Sequence, residues 1–251
     1  MKAHQVCSRS FIALVLSMGF EFASTAPVQA SVVVTGTRVI YAGQDRDKTV
    51  LLANQDTFPN IVQAWIDIDD PASTPDTANG PFVINPTVSR LAPGSGQSLR
   101  IIYTGTGLPE DRESLFHLNI LQIPPRNLTN SGSNQMLLML RNRLKLFYRP
   151  AAIPGSSDQL PEKLRFSLVR ADGDWRVRVD NPTGFHASFG AATISVGERI
   201  LLLRANMVPP YSQAEWGPEK AVALGAGAPI LRAQLINDYG ARIEISHEML
   251  R

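Results

Sequence analysis

Cysteine is almost missing from this sequence: the 251 residues contain one, Cys7. It lies in a stretch that reads as an export signal and lacks the small-residue context of a lipoprotein site. The chain beyond that stretch then has no disulfide, no thiol nucleophile and no cysteine-based metal site. An excess of charge of either sign is missing too, with 24 Lys and Arg against 22 Asp and Glu, which leaves no nucleic-acid footprint. Long apolar runs are scarce. Residues 11–20 are mostly apolar but too short to span a bilayer, Glu21 interrupts them, and no second long run follows, so a membrane anchor is not expected. Catalytic signatures are equally thin: there is no Gly-x-Ser-x-Gly elbow, and His247-Glu248 ends the chain before a His-Glu-x-x-His motif is completed. His117, His186 and His247 are scattered without metal-ligand spacing, and no helix pattern follows Gly105-Thr106-Gly107 to make a phosphate loop. These spacings point to no metal, cofactor or small-molecule substrate, and a Ser-His-Asp site assembled by the fold is the one catalytic route they leave open. Asn127-Leu128-Thr129 fits the glycosylation pattern, as a three-residue motif does by chance.

The start of the chain has a destination. Lys2 and Arg9 supply positive charge ahead of the apolar residues, and Val28-Gln29-Ala30 offers small residues for cleavage before Ser31. Residues 1–30 are therefore read as a signal peptide and the mature protein as exported. Removing Lys2, Arg9 and Glu21 takes the formal net charge from +2 to +1. The remaining 221 residues suit one large all-β domain or two sandwiches of about 100 residues each. Eighteen prolines and eighteen glycines punctuate the full chain, and no segment beyond the export signal keeps a long helical period, so the fold class is all-β.

Residues 134–150, NQMLLMLRNRLKLFYRP, read as one long strand. Its first half is apolar on both parities, from Met136 to Leu140, so both faces need cover. In its second half Leu144, Leu146 and Tyr148 share one parity, and Arg143, Lys145 and Arg149 the other, which gives one wet or ligand-facing side. About seven strands are expected before Pro150, beginning with a single strand over residues 31–41. Trp65 is expected as a core anchor. The segment around Pro86 is expected at a sheet edge or at a change of sheet. Residues 150–155, PAAIPG, mark a domain boundary, and seven more strand-like segments follow.

One feature asks for chemistry. Arg38 in the first strand, and Lys145 and Arg149 at the end of the organising one, stand among apolar residues, and buried cations require anions. Two such side chains from different strands near the domain junction could grip a carboxylate.

These residues resemble a family, the PapD-like periplasmic chaperones of pilus assembly. The resemblance rests on Thr37-Arg38-Val39-Ile40-Tyr41; on Asn54 with Val62-Gln63-Ala64-Trp65; and on Arg90-Leu91-x-Pro93-Gly94 with Gln97-Ser98-Leu99-Arg100-Ile101. It continues through Asp111-Arg112-Glu113-Ser114-Leu115-Phe116, Asn119 with Ile123-Pro124-Pro125, and Lys145-Leu146-Phe147-Tyr148-Arg149-Pro150. Asn181-Pro182-Thr183 and Ile236-Asn237-Asp238-Tyr239-Gly240 extend it more thinly into the second half.

The resemblance implies two immunoglobulin-like β-sandwich domains at an angle, over residues 31–152 and 153–251, a subunit-binding cleft between them, no enzymatic activity and so no catalytic residue, and a periplasmic location. It implies pilus or fimbria-like subunits as partners, and an outer-membrane usher beyond them. Arg38 and Lys145 match the anchor for a subunit's C-terminal carboxylate. Met136, Leu138 and Leu140 match the alternate residues lent to the subunit by donor-strand complementation. The sequence alone does not choose between that parity and Leu137 with Met139. Glu113, Arg149 and Asp238 match an interdomain salt-bridge cluster. The short loop before Met136 and the missing cysteine pair match the short-loop subgroup, while His117-Leu118 and the small residues near Gly184 depart from the pattern. A two-domain adhesion or binding module on the same fold is the alternative.

Overall fold

The structure is a computed structural model that describes residues 31–105, 107–126, 136–171, 174–220, 224 and 227–249. The export segment with Cys7, the Asn127-Leu128-Thr129 acceptor and most of the loop before Met136 lie outside the described residues.

Among the described residues nine strands precede Pro150: β1 Val32–Val34, β2 Arg38–Ala42, β3 Lys48–Asn54, β4 Asn60–Asp67, β5 Phe82–Asn85, β6 Val88–Leu91, β7 Gly96–Tyr103, β8 Ser114–Ile123 and β9 Leu140–Arg149. They form two facing sheets, ordered β1-β3-β7-β5 and β2-β9-β8-β4-β6. Alternation does the sorting: in β3, Val50 and Leu52 are buried while Leu51 between them is exposed. Leu52, Val62, Leu99, Ile101, Leu118, Ile120 and Leu146 fill the space between the sheets. Each contributes roughly 1.5–3 kcal/mol by leaving water.

The expected single strand over residues 31–41 is two. Val32–Val34 pairs with β3 in one sheet and Arg38–Ala42 with β9 in the other, and the chain crosses between them at Gly36, φ +89°, a conformation side chains disfavour. The Pro86 segment lies at an edge and also changes sheet, since β5 ends one sheet and β6 the other. Trp65 is buried beneath the polar loop after β4 rather than in the sandwich core, with its indole N–H donating to Ser73 Oγ at 3.0 Å.

The organising stretch is a strand only from Leu140 to Arg149. Pairing with β8 ends at Gln122 opposite Leu140. Residues 136–139 have no strand partner among the described residues and no cover: Met136 is 92% exposed and Leu138 65%. The apolar half of the stretch lacks, among the described residues, the neighbours its sequence calls for.

Seven strands follow among the described residues: β10 Arg165–Ala171, β11 Asp174–Asn181, β12 Phe189–Val196, β13 Arg199–Leu202, β14 Ser212–Trp216, β15 Pro229–Ile236 and β16 Arg242–Glu248. Their sheets, β10-β11-β14 and β13-β12-β15-β16, close on a second core that contains Trp216, Ile194, Leu231, Val177 and Val179, with Ile153 from the connection packed into it. A 3-10 turn at Ser157–Gln159 and a helix, α1, at Leu160–Lys163 were not expected from the sequence. One turn of helix is too short to show a period.

Candidate functional site

The register of the five-stranded sheet aligns four side chains across adjacent strands. Asp67 on β4 is opposite His117 on β8, His117 is opposite Lys145 on β9, and Lys145 is opposite Arg38 on β2. Register partners in a sheet share a face, so this polar row crosses the surface turned away from the first core. Lys145 lies on the parity of Arg143 and Arg149, as the alternation predicts, whereas Leu144 and Leu146 face the core. That outer face is not wholly wet. Phe147, also on it, is buried against the His186 ring from the second sandwich, 5.2 Å between centroids.

Arg38 and Lys145 are both half-buried, and among the described residues neither has a carboxylate within ion-pair distance. Arg38 Nη1 donates to the Ile236 carbonyl at 3.1 Å, its guanidinium lies 5.8 Å from the Phe147 ring centroid, and its Nε is buried without a partner. Burial lowers its pKa, although Asp238 and Glu113 pull the other way. Lys145 Nζ donates to the thioether of Met207 at 3.5 Å. Burial lowers the lysine's pKa and the Arg38 charge lowers it further. Two neighbouring cations, partly desolvated and short of anions, form a site that a carboxylate would complete.

Beside them the sequence-matched cluster comes together. Arg149 Nε donates to Glu113 Oε1 at 2.8 Å, and Nη1 and Nη2 donate to the two Asp238 oxygens at 2.7 and 2.9 Å. Burial raises the Asp238 carboxyl, but hydrogen bonds from Arg149 and Ser157 outweigh it and hold the group below the usual carboxylate range. Two members went unnoticed in the sequence. Ser157 Oγ donates to Asp238 Oδ2 at 2.9 Å. His186 donates its backbone N–H to Glu113 Oε2 at 2.7 Å and sets Nδ1 at 3.1 Å from the same oxygen. Nothing in the spacing of a lone Ser or His could have signalled either, because only the tertiary fold brings them to Glu113 and Asp238. The nearby Gly184 has a local reason: a Cβ there would come 2.6 Å from both the Asp111 carbonyl and the Ile153 side chain, and its own carbonyl accepts from the Glu113 amide at 2.9 Å. The small residue that departs from the family pattern lets the two sandwiches touch.

The remaining histidines do not build a site. His117 is buried, 4.0 Å from Asp67 and Asp69, and Ser73 donates to Asp67 rather than to His117, so no nucleophile and base are paired. His247 packs its ring 5.8 Å from Phe166. Among the described residues no three His, Cys, Asp or Glu side chains group as a metal site.

The last component is an edge. β2 pairs with β9 from Lys145 to Arg149, so among the described residues the flank of residues 140–144 that faces away from β8 has no partner strand. That open edge runs on from exposed residues 136–139 and ends at Lys145.

Comparison with known proteins agrees over almost the whole described chain. Residues 31–154 match the family described as "Pili and flagellar-assembly chaperone, PapD N-terminal domain", and residues 159–247 match "Pili assembly chaperone PapD, C-terminal domain". Chaperone protein HifB of Haemophilus influenzae is 41% identical over 224 residues, 84% of this chain and 85% of that one. The crystal structure of the YadV chaperone superposes with TM-score 0.74 at 31% identity, covering 87% of this chain and all of the other. A chain from the complex of Salmonella enterica SafA pilin with the SafB chaperone superposes with TM-score 0.71 at 26% identity, covering 89% and 98%.

Proposed function

Since the chain belongs to the PapD-like pilus-assembly chaperones, with their two immunoglobulin-like sandwiches, we propose that it captures immature pilus or fimbria-like subunits by donor-strand complementation in the periplasm. Arg38 and Lys145 hold the subunit's C-terminal carboxylate, and residues 136–140 complete its unfinished sandwich. The domains are taken as residues 31–152 and 153–251, and residues 1–30 as the export signal. The outer-membrane usher as the next station rests on the family resemblance alone.

The observation that carries this reading is the geometry of β2 against β9. β2 runs parallel to β9 and begins at Arg38, opposite Lys145. A strand added in the same row, parallel to β9 along the open flank of residues 136–144, runs toward Arg38 and ends there. Its terminal carboxylate arrives between two cations that have none. Leu140 has the parity of the core-facing Leu144 and Leu146, and alternation carries that face to Leu138 and Met136 once the segment is extended. Their exposed apolar surface is then buried against the subunit. A pilin in complex with the related SafB chaperone supports the class of partner.

Purification from periplasm with mass spectrometry of what accompanies the protein tests the reading. The parent should bring down pilin-like subunits, and Arg38→Ala and Lys145→Ala variants should not. Equal recovery by parent and variants would overturn it.

A further inference from the structure

Met207 belongs to the second sandwich, yet it reaches across to the first. The residue after it is fixed: Val208 is fully buried and exchanges two backbone hydrogen bonds with Ala187, each 2.9 Å. Met207 itself is half-buried, and its sulfur is the acceptor for Lys145 Nζ at 3.5 Å. A thioether is a weak acceptor, so an arriving carboxylate displaces it with little loss. We propose that Met207 is a modification site: oxidation of its thioether to the sulfoxide closes the carboxylate anchor. The inference rests on the anchor reading above.

The chemistry needs one co-reactant, a peroxide. The O–O bond of hydrogen peroxide breaks, one oxygen forms an S–O bond, and the other leaves as water with both hydrogens. The sulfur loses two electrons and the peroxide gains them. The product carries a strongly polar oxygen where a soft sulfur stood. That oxygen lies within reach of the Lys145 ammonium, and a subunit carboxylate must now compete with it. With no cysteine among the described residues, methionine is the sulfur open to this chemistry. Met136 and Met139 are exposed and will oxidise as well, but they lie on the apolar segment, and Met249 is buried. The effect at the anchor is separable from theirs.

The test uses a Met136→Leu, Met139→Leu protein treated with hydrogen peroxide, with oxidation at Met207 verified by mass spectrometry. The probe is a synthetic peptide of alternating apolar residues with a free C-terminal carboxylate, alongside its C-terminal amide. Untreated protein should prefer the carboxylate peptide. After oxidation its affinity should fall about tenfold or more, the effect of losing a hydrogen bond between charged groups. Methionine sulfoxide reductase should restore it, and a further Met207→Leu change should make binding indifferent to peroxide. Unchanged binding by protein carrying the sulfoxide, or a Met207 that peroxide does not reach, overturns this inference alone. Equal binding of the two peptides by untreated protein would instead sink the anchor reading, and this one with it.

Discussion

Arg149 and Asp238, 89 residues apart, meet through two parallel hydrogen bonds of 2.7 and 2.9 Å that tie the last strand of the first sandwich to the second. Glu113, with its side chain 2% exposed, holds the other side of the same guanidinium. Removing one partner from such a network leaves the rest desolvated and uncompensated. Asp238→Ala should therefore cost about 2–4 kcal/mol, somewhat under the range for a fully buried pair because Asp238 keeps some contact with water. Urea unfolding measures the loss, and small-angle scattering should show the angle between the sandwiches changing. An unaltered angle at unaltered stability would mean that the cluster does not set the domain arrangement.

Asp67 makes stability depend on acid. Its side chain is inaccessible to solvent, and burial pushes its pKa up. Hydrogen bonds from Arg143, Asn119, the Asp70 amide and Ser73 outweigh that push and hold the folded value at about 2, against 3.8 for the ordinary group. A folded value below the unfolded one gives stability that is present above 3.8 and lost as pH falls toward 2. At neutral pH it amounts to about 2 kcal/mol. Asp67→Asn should be less stable than the parent at neutral pH, and the gap should narrow through that acid window. Melting curves that stay equally far apart at both ends of the window would contradict the assignment.

Lys145 shares that direction of pH dependence but works against the fold at neutral pH. Burial and Arg38 both hold its pKa below the usual lysine value, so folding disfavours its charge at neutral pH, a penalty relieved only as pH rises through the folded value. Lys145→Met in the free protein should be more stable by about 0.5–1 kcal/mol, a gain typical where function has held stability down. The same variant should lose its subunit. A protein destabilised by this change would show that Lys145 serves the fold rather than the cleft.

The strands of the second sandwich were legible because each is a short apolar segment between turn residues, and local chemistry decides such elements. Register was legible only in part. Alternation put Lys145 and Arg149 on one face of β9, but that Lys145 stands opposite Arg38 follows from strand pairing, a long-range choice that leaves no local mark. The strand expected over residues 31–41 was misread because Gly36 looks like an ordinary glycine until the two sheets on either side of it are known. His186 and Met207 were illegible for the same reason, since each is defined by what the other sandwich brings to it, and Ser157 because its partner Asp238 is 81 residues away. The extent of the organising strand was overestimated for a different reason: its apolar first half has strand character without a partner among the described residues.

That missing partner gives the last prediction. Leu138 is exposed and touches no core in the free protein, so Leu138→Glu should shift its stability by no more than about 0.5 kcal/mol, as surface changes usually do. In a complex the same position would face the unfinished core of a subunit, where an unpaired carboxylate is costly enough to prevent closure. Pulldown should then recover little or no subunit from a variant whose melting curve overlays the parent's. Leu137→Glu separates the two parities, because an odd position points away from that core and should leave more binding intact. If Leu137→Glu proves the more damaging change, the donor face is the one through Leu137 and Met139, and the register drawn from Arg38 and Lys145 is off by one residue.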